Sequence, residues 1–364
     1  MSKIKVAVLF GGKSTEHEIS IISAKNIVAA MPKDKYEPVL IGVDKSGKWL
    51  HQSESLELLD VSDPKSVKLS DSGKPVIFSQ NSDEHYLQSS SGQNRIEGID
   101  VIFPVLHGTF GEDGAIQGFA KLANLPCVGP GILGSAVGMD KEVMKRLLRD
   151  AGIANAPFIT LRRKDQNKYS YSEVAEQLGS ELFVKPVNLG SSVGVSHVKS
   201  AEDFQKAIDH AFKFDNKVII EQRIYGREIE CAVLGNHDPI ASIPGEVIPK
   251  DGFYSFESKY IDESGAALEI PAQLSSEEIA RVQEISLQTY ECLECSGMAR
   301  VDMFLTPEGQ LYINEINTIP GFTSISMYPT LWRLSGIPND ELIDRLIQLA
   351  IEEHADMNRL QLEM

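Results

Sequence analysis

Residues 299–321 read "ARVDMFLTPEGQLYINEINTIPG", and their spacing gathers side chains that could do chemistry. "TPEG" is a turn signal between two apolar runs. Side chains alternate along a strand, so Arg300, Asp302 and Phe304 are expected on one face of the first run. By the same alternation Ile313, Glu315 and Asn317 are expected on one face of the second. A turn centred on Pro307–Gly309 sets Asp302 opposite 313–315, so two carboxylates and an amide converge. Hard oxygen donors in such small number suit Mg²⁺ that also holds substrate phosphates. The plainer alternative is a surface hairpin with scattered charges, and an arginine among three oxygen donors argues against it.

Cations that could meet phosphates lie upstream. Lys141 opens a helix whose cap is Asp140. Taken alone it would be read as an ordinary solvated lysine. Lys185 differs, because "LFVKPV" sets it among apolar residues, and a buried ammonium needs an anionic partner. After the strand "KVIIE", the segment Glu221, Gln222, Arg223, Ile224 reads as a crossover whose backbone could address an adenine edge, with Glu228 at ribose-reaching distance.

Two local patterns mislead. "GGKS" at 11–14 supplies the end of a phosphate-binding P-loop, but the pattern needs glycine at position 7, where Ala7 lies inside a strand. "VKPVNLGSSVGVSHV" (184–198) contains Gly190, Ser192 and Gly194 in G-x-S-x-G spacing, the elbow of a nucleophilic serine. That elbow requires a helix after the serine. The stretch "VGVSHV" instead alternates valine with glycine and serine at period two, so strand, loop and strand form a hairpin with a Gly/Ser tip.

The elements that must position these groups are α/β throughout. "IKVAVLF", a helix entered through "GGKSTEHEIS" with apolar Ile19, Ile22 and Ile27, and "YEPVLIGVD" make a βαβ opening, and "DKSGKW" signals a hairpin. Residues 52–97 are polar and weakly patterned and read as a peripheral insertion. "IDVIFPVLHG" is a further buried strand, "GAIQGFAKLANLP" a helix and "CVGP" a short strand. Segment boundaries are expected at 1–130, 131–226 and 227–364, the last closing with the helix "DELIDRLIQLAIEEH".

Composition narrows the partners. The 364 residues carry a formal charge of −17, which disfavours nucleic acid and anionic lipid. No apolar run approaches the ~18 residues of a membrane span. The opening "MSKIKVAVLFGG" reads as strand and turn rather than a secretory signal, so a cytoplasmic location is expected. Four cysteines suit a reducing compartment. Cys292 and Cys295 form C-x-x-C at the C-terminal end of a helix started by the Ser275-x-x-Glu278 capping box, and they read as structural thiols.

"GGKSTEHEIS", "HGTFGEDGAIQG", "MDK", "VKPVNLGSSVGV", "IIEQ", "SKYID", "ARVDMFL" and "NEINTIPGFTSISMYP" occur in this order across essentially the whole chain. Together they resemble the D-alanine–D-alanine ligases of the ATP-grasp superfamily. The resemblance implies a three-domain ATP-grasp fold with a Rossmann-like N-terminal domain. It also implies ATP-dependent joining of two D-alanine molecules through an acyl phosphate, for peptidoglycan. Asp302, Glu315 and Asn317 then look like ligands for two Mg²⁺ or Mn²⁺ ions, and Lys141, Lys185, Glu221, Gln222, Ile224, Glu228 and Phe304 look like the ATP site.

The resemblance puts Lys259 near the γ-phosphate. Glu16 would meet the ammonium of the first D-alanine, with His107 near its carboxylate. Arg300 and the backbone at Gly321 would stabilise a tetrahedral oxyanion, and Ser326 and Met327 would border the second substrate. Glu16, Ser191 and Tyr260 would form a hydrogen-bonded lid, and the tyrosine favours an amine over a hydroxyl acceptor. A homodimer and a monovalent-cation activator are family expectations. Two other readings stand beside this one: a related ligase with a different amino acid at one site, and a non-catalytic nucleotide-binding regulator. The intact Asp302, Glu315, Asn317 and Arg300 argue against the regulator.

Overall fold

The computed structural model describes residues 2–52, 69, 73–80, 85–90, 95–249 and 266–361. The fold is built on three sheets. The first begins with β1 (Ile4–Gly11), α1 (His17–Ala30) and β2 (Tyr36–Val43), with β2 parallel to β1. β1 shows no apolar–polar alternation because both of its faces are covered. Val6, Val8 and Phe10 enter one core with α1, while Ala7 and Leu9 enter another on the opposite face.

β3 (Trp49–His51), β4 (Lys74–Gln80), β5 (His85–Ser89) and β6 (Arg95–Gly98) continue this sheet as an antiparallel meander. β7 (Val101–Pro104) closes the other edge, giving the order β6-β5-β4-β3-β2-β1-β7. The described parts of 52–97 are therefore sheet rather than a loosely patterned appendage. Val76 and Leu87 are buried, and Trp49 and Phe78 pack edge-on against Phe119 of α2 (Ala115–Leu122) at 5.3 and 5.1 Å. The runs "PVIFS" and "YLQ" are too short for their alternation to stand out. "CVGP" forms a single parallel bridge, Ile102 to Cys127, instead of a strand.

α3 (Ile132–Met139) and α4 (Lys141–Asp150) lead to the second sheet. Asp140 caps α4 by accepting from the Val143 amide at 3.0 Å. The sheet comprises β8 (Phe158–Arg162), β9 (Leu182–Pro186), β10 (Ser196–Val198) and β11 (Lys217–Gln222), in the order β10-β9-β11-β8. One side is covered by α5 (Tyr171–Leu178) and α6 (Ala201–Ala211), which bury Val174, Leu178, Phe204 and Ile208 against Val184 and Ile220.

The third sheet holds β12 (Arg227–Leu234), β13 (Ile240–Ala241), β14 (Gly245–Pro249), β15 (Ala266–Glu269), β16 (Met298–Leu305) and β17 (Leu311–Asn317). α7 (Ser276–Cys292) starts with the expected reciprocal capping box of Ser275 and Glu278. Cys231 and Cys295 are buried, and burial pushes both thiols up, to about 11 and about 12. The chain then forms α8 (Met327–Leu334) and α9 (Asn339–Asn358).

Each sheet lies within one of the three sequence segments, but the cores are shared between them. Met144 and Leu148 of α4 pack with Val301, Met303 and Ile313 of the third sheet. Leu342, Ile343, Leu346 and Ile347 of α9 close the core beneath β1, where Asp344 also takes a hydrogen bond from the Tyr36 hydroxyl at 2.6 Å. No described helix is long and apolar enough to cross a membrane. Truncating Leu346, which is fully buried in that shared core, should cost about 2–5 kcal/mol in chemical denaturation of Leu346→Ala. An unchanged midpoint would contradict the role of α9 in closing the N-terminal core.

Candidate active site

β16 and β17 pair antiparallel, setting Arg300 opposite Asn317 and Asp302 opposite Glu315. Val301, Met303 and Leu305 face the core, so Arg300, Asp302 and Phe304 share the opposite face, as their alternation predicts. The second strand departs from the prediction. The register shifts between Asp302 and Met303, so Met303 meets Ile313 rather than Asn314. Ile313 is buried in the core, 1% exposed, and does not share a face with Glu315 and Asn317. Asn314 takes the cleft side instead, with its Oδ1 3.4 Å from the Lys185 ammonium.

Arg300 is gripped by Glu230 on β12 at 2.8 Å and by Asp302 at 2.7 Å. Burial pulls its pKa down, but these two carboxylates outweigh it and hold the guanidinium firmly charged. Asn317 Oδ1 is buried with no hydrogen-bond partner among the described residues. An orphaned acceptor beside two facing carboxylates fits a hard cation, and Mg²⁺ or Mn²⁺ commonly takes only one or two protein carboxylates plus phosphate oxygens.

Lys141 and Lys185 converge on the same face. The Lys141 ammonium donates to the Leu189 carbonyl at 2.7 Å and pairs with Glu315 at 3.1 Å. Lys185 pairs with Glu221 at 2.7 Å, and Glu315 and Glu228 add to its field. Glu221 itself is pulled down to about 2: burial opposes its charge, but Lys145 and Lys185 more than compensate. Glu221 and Gln222 end β11 rather than lying in a crossover, and only Arg223 and Ile224 of that segment belong to the connection to β12; the Gln222 amide donates to the Pro157 carbonyl and the Arg223 amide to the Glu181 carbonyl, both at 3.0 Å. Phe304 is half-buried and registered against Glu228.

A second group of loops meets at the N-terminus of α1. Glu16 is buried and takes a short hydrogen bond from Ser191 Oγ at the tip of the Gly/Ser hairpin. Ser191 and Ser192 have φ of +52° and +57°, a left-handed pair at the tip. Gly194 ends it at φ +72°, where a Cβ would lie 2.7 Å from both Phe214 and Pro186. β10 runs antiparallel to β9, so the segment is a hairpin and the hydrolase elbow is absent.

His107 is buried, with Nδ1 2.9 Å from the Ile319 carbonyl and 3.7 Å from Glu112. Burial pulls this imidazole down, yet Glu112 and Glu16 raise it overall. The 319–326 loop is stapled to α1 by the Phe322 amide on Ser23 Oγ at 3.1 Å and by Asn26 on the Phe322 carbonyl at 2.8 Å. Gly321 lies beside Ser326, whose Oγ accepts from the Thr323 amide at 2.9 Å. Met327 begins α8 with its side chain buried in the core, so only its backbone could border a substrate. Lys259 and Tyr260 lie outside the described residues.

Three groups at the site escaped the sequence reading. Lys145 falls with Lys141, Met144 and Leu148 on the buried face of α4, and a lysine inside an apolar i, i+3, i+4, i+7 stripe was the available signal. Glu230 stands two residues after Glu228 on the face opposite Ile229 and Cys231. Glu112 had no local pattern to mark it. Because the Gly/Ser segment is a hairpin, a serine-directed fluorophosphonate should leave Ser192 unmodified by mass spectrometry. A Ser192 adduct would contradict that reading.

The family models described as D-ala D-ala ligase N-terminus and C-terminus match residues 5–130 and 147–348. The chain is 52% identical to D-alanine–D-alanine ligase A of Escherichia coli strain K12 over the whole of both sequences. It is 49% identical to the D-alanine–D-alanine ligase of Oceanobacillus iheyensis, covering 97% of this chain and 96% of that one. The solved D-alanine–D-alanine ligase of Coxiella burnetii superposes with a TM-score of 0.88 at 41% identity, covering 99% of this chain and 97% of that one. The VanG D-Ala:D-Ser ligase of Enterococcus faecalis superposes at 0.86 with 37% identity, covering 96% and 100%. With both halves matched in order and the whole length aligned, the chain belongs to the D-alanine–D-alanine ligase family, with the ATP-grasp fold and its N-terminal domain.

Proposed function

We propose that the protein is a cytoplasmic ligase that uses ATP to join two D-alanine molecules into D-alanyl-D-alanine for peptidoglycan. The reaction proceeds through D-alanyl phosphate and releases ADP and phosphate. The observation that carries this reading is Lys141, whose ammonium contacts both the Gly/Ser hairpin at Leu189 and the carboxylate of Glu315. One cation thus joins the loop suited to cover phosphates to the face suited to hold a metal.

A carboxylate is a poor acyl donor, and transfer of the γ-phosphoryl group to it supplies a good leaving group. Lys141 and Lys185 offset charge on the phosphates, and Lys259 is assigned to the γ-phosphate. Asp302, Glu315 and Asn317 would hold Mg²⁺ or Mn²⁺, which when bound neutralises phosphate charge and polarises the transferring group. Glu221, Gln222, Ile224, Glu228 and Phe304 form the remainder of the nucleotide site. Glu16 receives the first D-alanine's ammonium, and His107, whose pKa Glu112 and Glu16 raise against the effect of burial, faces its carboxylate.

The second D-alanine enters beside Ser326 and the backbone of Met327, and its amine attacks the acyl phosphate. Arg300 and the Gly321 backbone stabilise the tetrahedral oxyanion before phosphate leaves. Ser191 positions Glu16 rather than attacking, and Tyr260 completes that lid. Such a lid excludes water from an acyl phosphate that would otherwise hydrolyse. A homodimer and activation by a monovalent cation are part of the same proposal.

Phosphate release from ATP and Mg²⁺ should depend on D-alanine, and should be much slower with L-alanine, D-lactate or no amino acid. D-Serine as second substrate separates this activity from that named for the VanG relative. Release independent of D-alanine would overturn the reading. Glu315→Gln should lower turnover at least about 100-fold while leaving the melting temperature near that of the parent. An active variant would refute the metal-holding role. Ser191→Ala should raise KM for D-alanine more than KM for ATP, and an equal rise in both would argue against its link to Glu16.

A further inference from the structure

Lys145 is fully buried, 0% exposed, on the face of α4 that also buries Met144 and Leu148. Its ammonium lies 3.2 Å from Glu221 Oε1 but has no hydrogen-bond partner among the described residues. The other oxygen of the same carboxylate is 2.7 Å from Lys185. A buried ammonium with one poorly aligned ion pair is costly, and an apolar side chain of similar length would pack at less cost. Packing therefore does not account for a lysine here, and hydrogen bonding does not either. What remains is its charge.

Lys185 and Glu221 alone form a neutral pair, which has little attraction for a polyphosphate. Burial pulls the Lys145 pKa down and the Glu221 carboxylate works against that, and in its ammonium form Lys145 makes the trio net positive. We propose that Lys145 is a positioning residue for nucleotide binding: by sharing the Glu221 carboxylate with Lys185, it leaves the Lys185 ammonium free to hold the phosphates of ATP. Lys145 does not reach the cleft surface and acts only through Glu221. Glu221 remains ionised at neutral pH, since the two lysines outweigh the effect of its burial. The inference rests on reading this cleft as the ATP site.

The experiment begins with the parent protein, because absence of D-alanine-dependent phosphate release there would fail the reading of the cleft and not the role of Lys145. In Lys145→Met, KM for ATP and the Kd for Mg·ADP by calorimetry should rise about tenfold or more, with kcat and KM for D-alanine within about threefold of the parent. The melting temperature should stay the same or rise. Lys145→Arg keeps a positive charge beside Glu221 and should hold KM for ATP within about threefold of the parent. Unchanged nucleotide affinity in Lys145→Met would overturn the inference, as would a tenfold loss in Lys145→Arg. If Lys145→Met does not fold, Lys145→Gln takes its place: a tenfold loss of Mg·ADP affinity supports the inference and parental affinity refutes it.

Discussion

Asp302 and Glu315 face each other across β16 and β17 because one extra residue, Asn314, separates that pair from the next, Met303 and Ile313. The hairpin must serve two environments. Val301, Met303, Ile313 and Ile316 fill a hydrophobic core, and Arg300, Asp302, Glu315 and Asn317 must leave it for the cleft. Strict alternation on β17 would send Ile313 and Glu315 to the same side, exposing an isoleucine or burying a carboxylate. The bulge lets both strands satisfy the core while the oxygen donors gather on the other face. Register therefore decides whether the site exists.

Around that face the protein solves an electrostatic problem. A chain of net charge −17 that binds an anionic nucleotide must do so through locally placed cations. Lys141, Lys185 and Arg300 are each at least half-buried and each bound to carboxylates from a different strand or loop. These pairings cost desolvation and add little to stability. They fix where the positive charge sits. The same contacts tie the segments together: Lys141 on α4 reaches the second sheet's hairpin and the third sheet's Glu315, while Ser191 carries the hairpin to Glu16 at the start of α1. The loop and the charged face share Lys141 in this arrangement.

Much of this was legible in the sequence, for physical reasons particular to each part. "VAVLF" is apolar throughout because both faces of β1 are buried there, whereas "VGVSHV" supplies only the three-residue β10 at a sheet edge, its first half lying in the turn. That Asp302 meets the stretch 313–315 followed from turn position alone. The bulge at Asn314 did not, because one inserted residue leaves no mark in composition. The strands within 52–97 were missed for want of length, and Lys145 because lysines on helices are usually solvated. Its place in an apolar stripe was visible, but its partner, Glu221, comes from another sheet. The contact of Ser191 with Glu16 was reachable only through family resemblance, and that of His107 with Ile319 was not foreseen.

Activation of a carboxylate by phosphorylation in this cleft is the chemistry on which the proposed function rests. It is tested most directly with D-alanine carrying ¹⁸O in its carboxylate, turned over with ATP, the released phosphate being analysed by mass spectrometry. Attack on an acyl phosphate moves a substrate carboxylate oxygen into the phosphate, so the account predicts one heavy oxygen per phosphate released. Phosphate free of label, formed at the same rate as dipeptide, would contradict it.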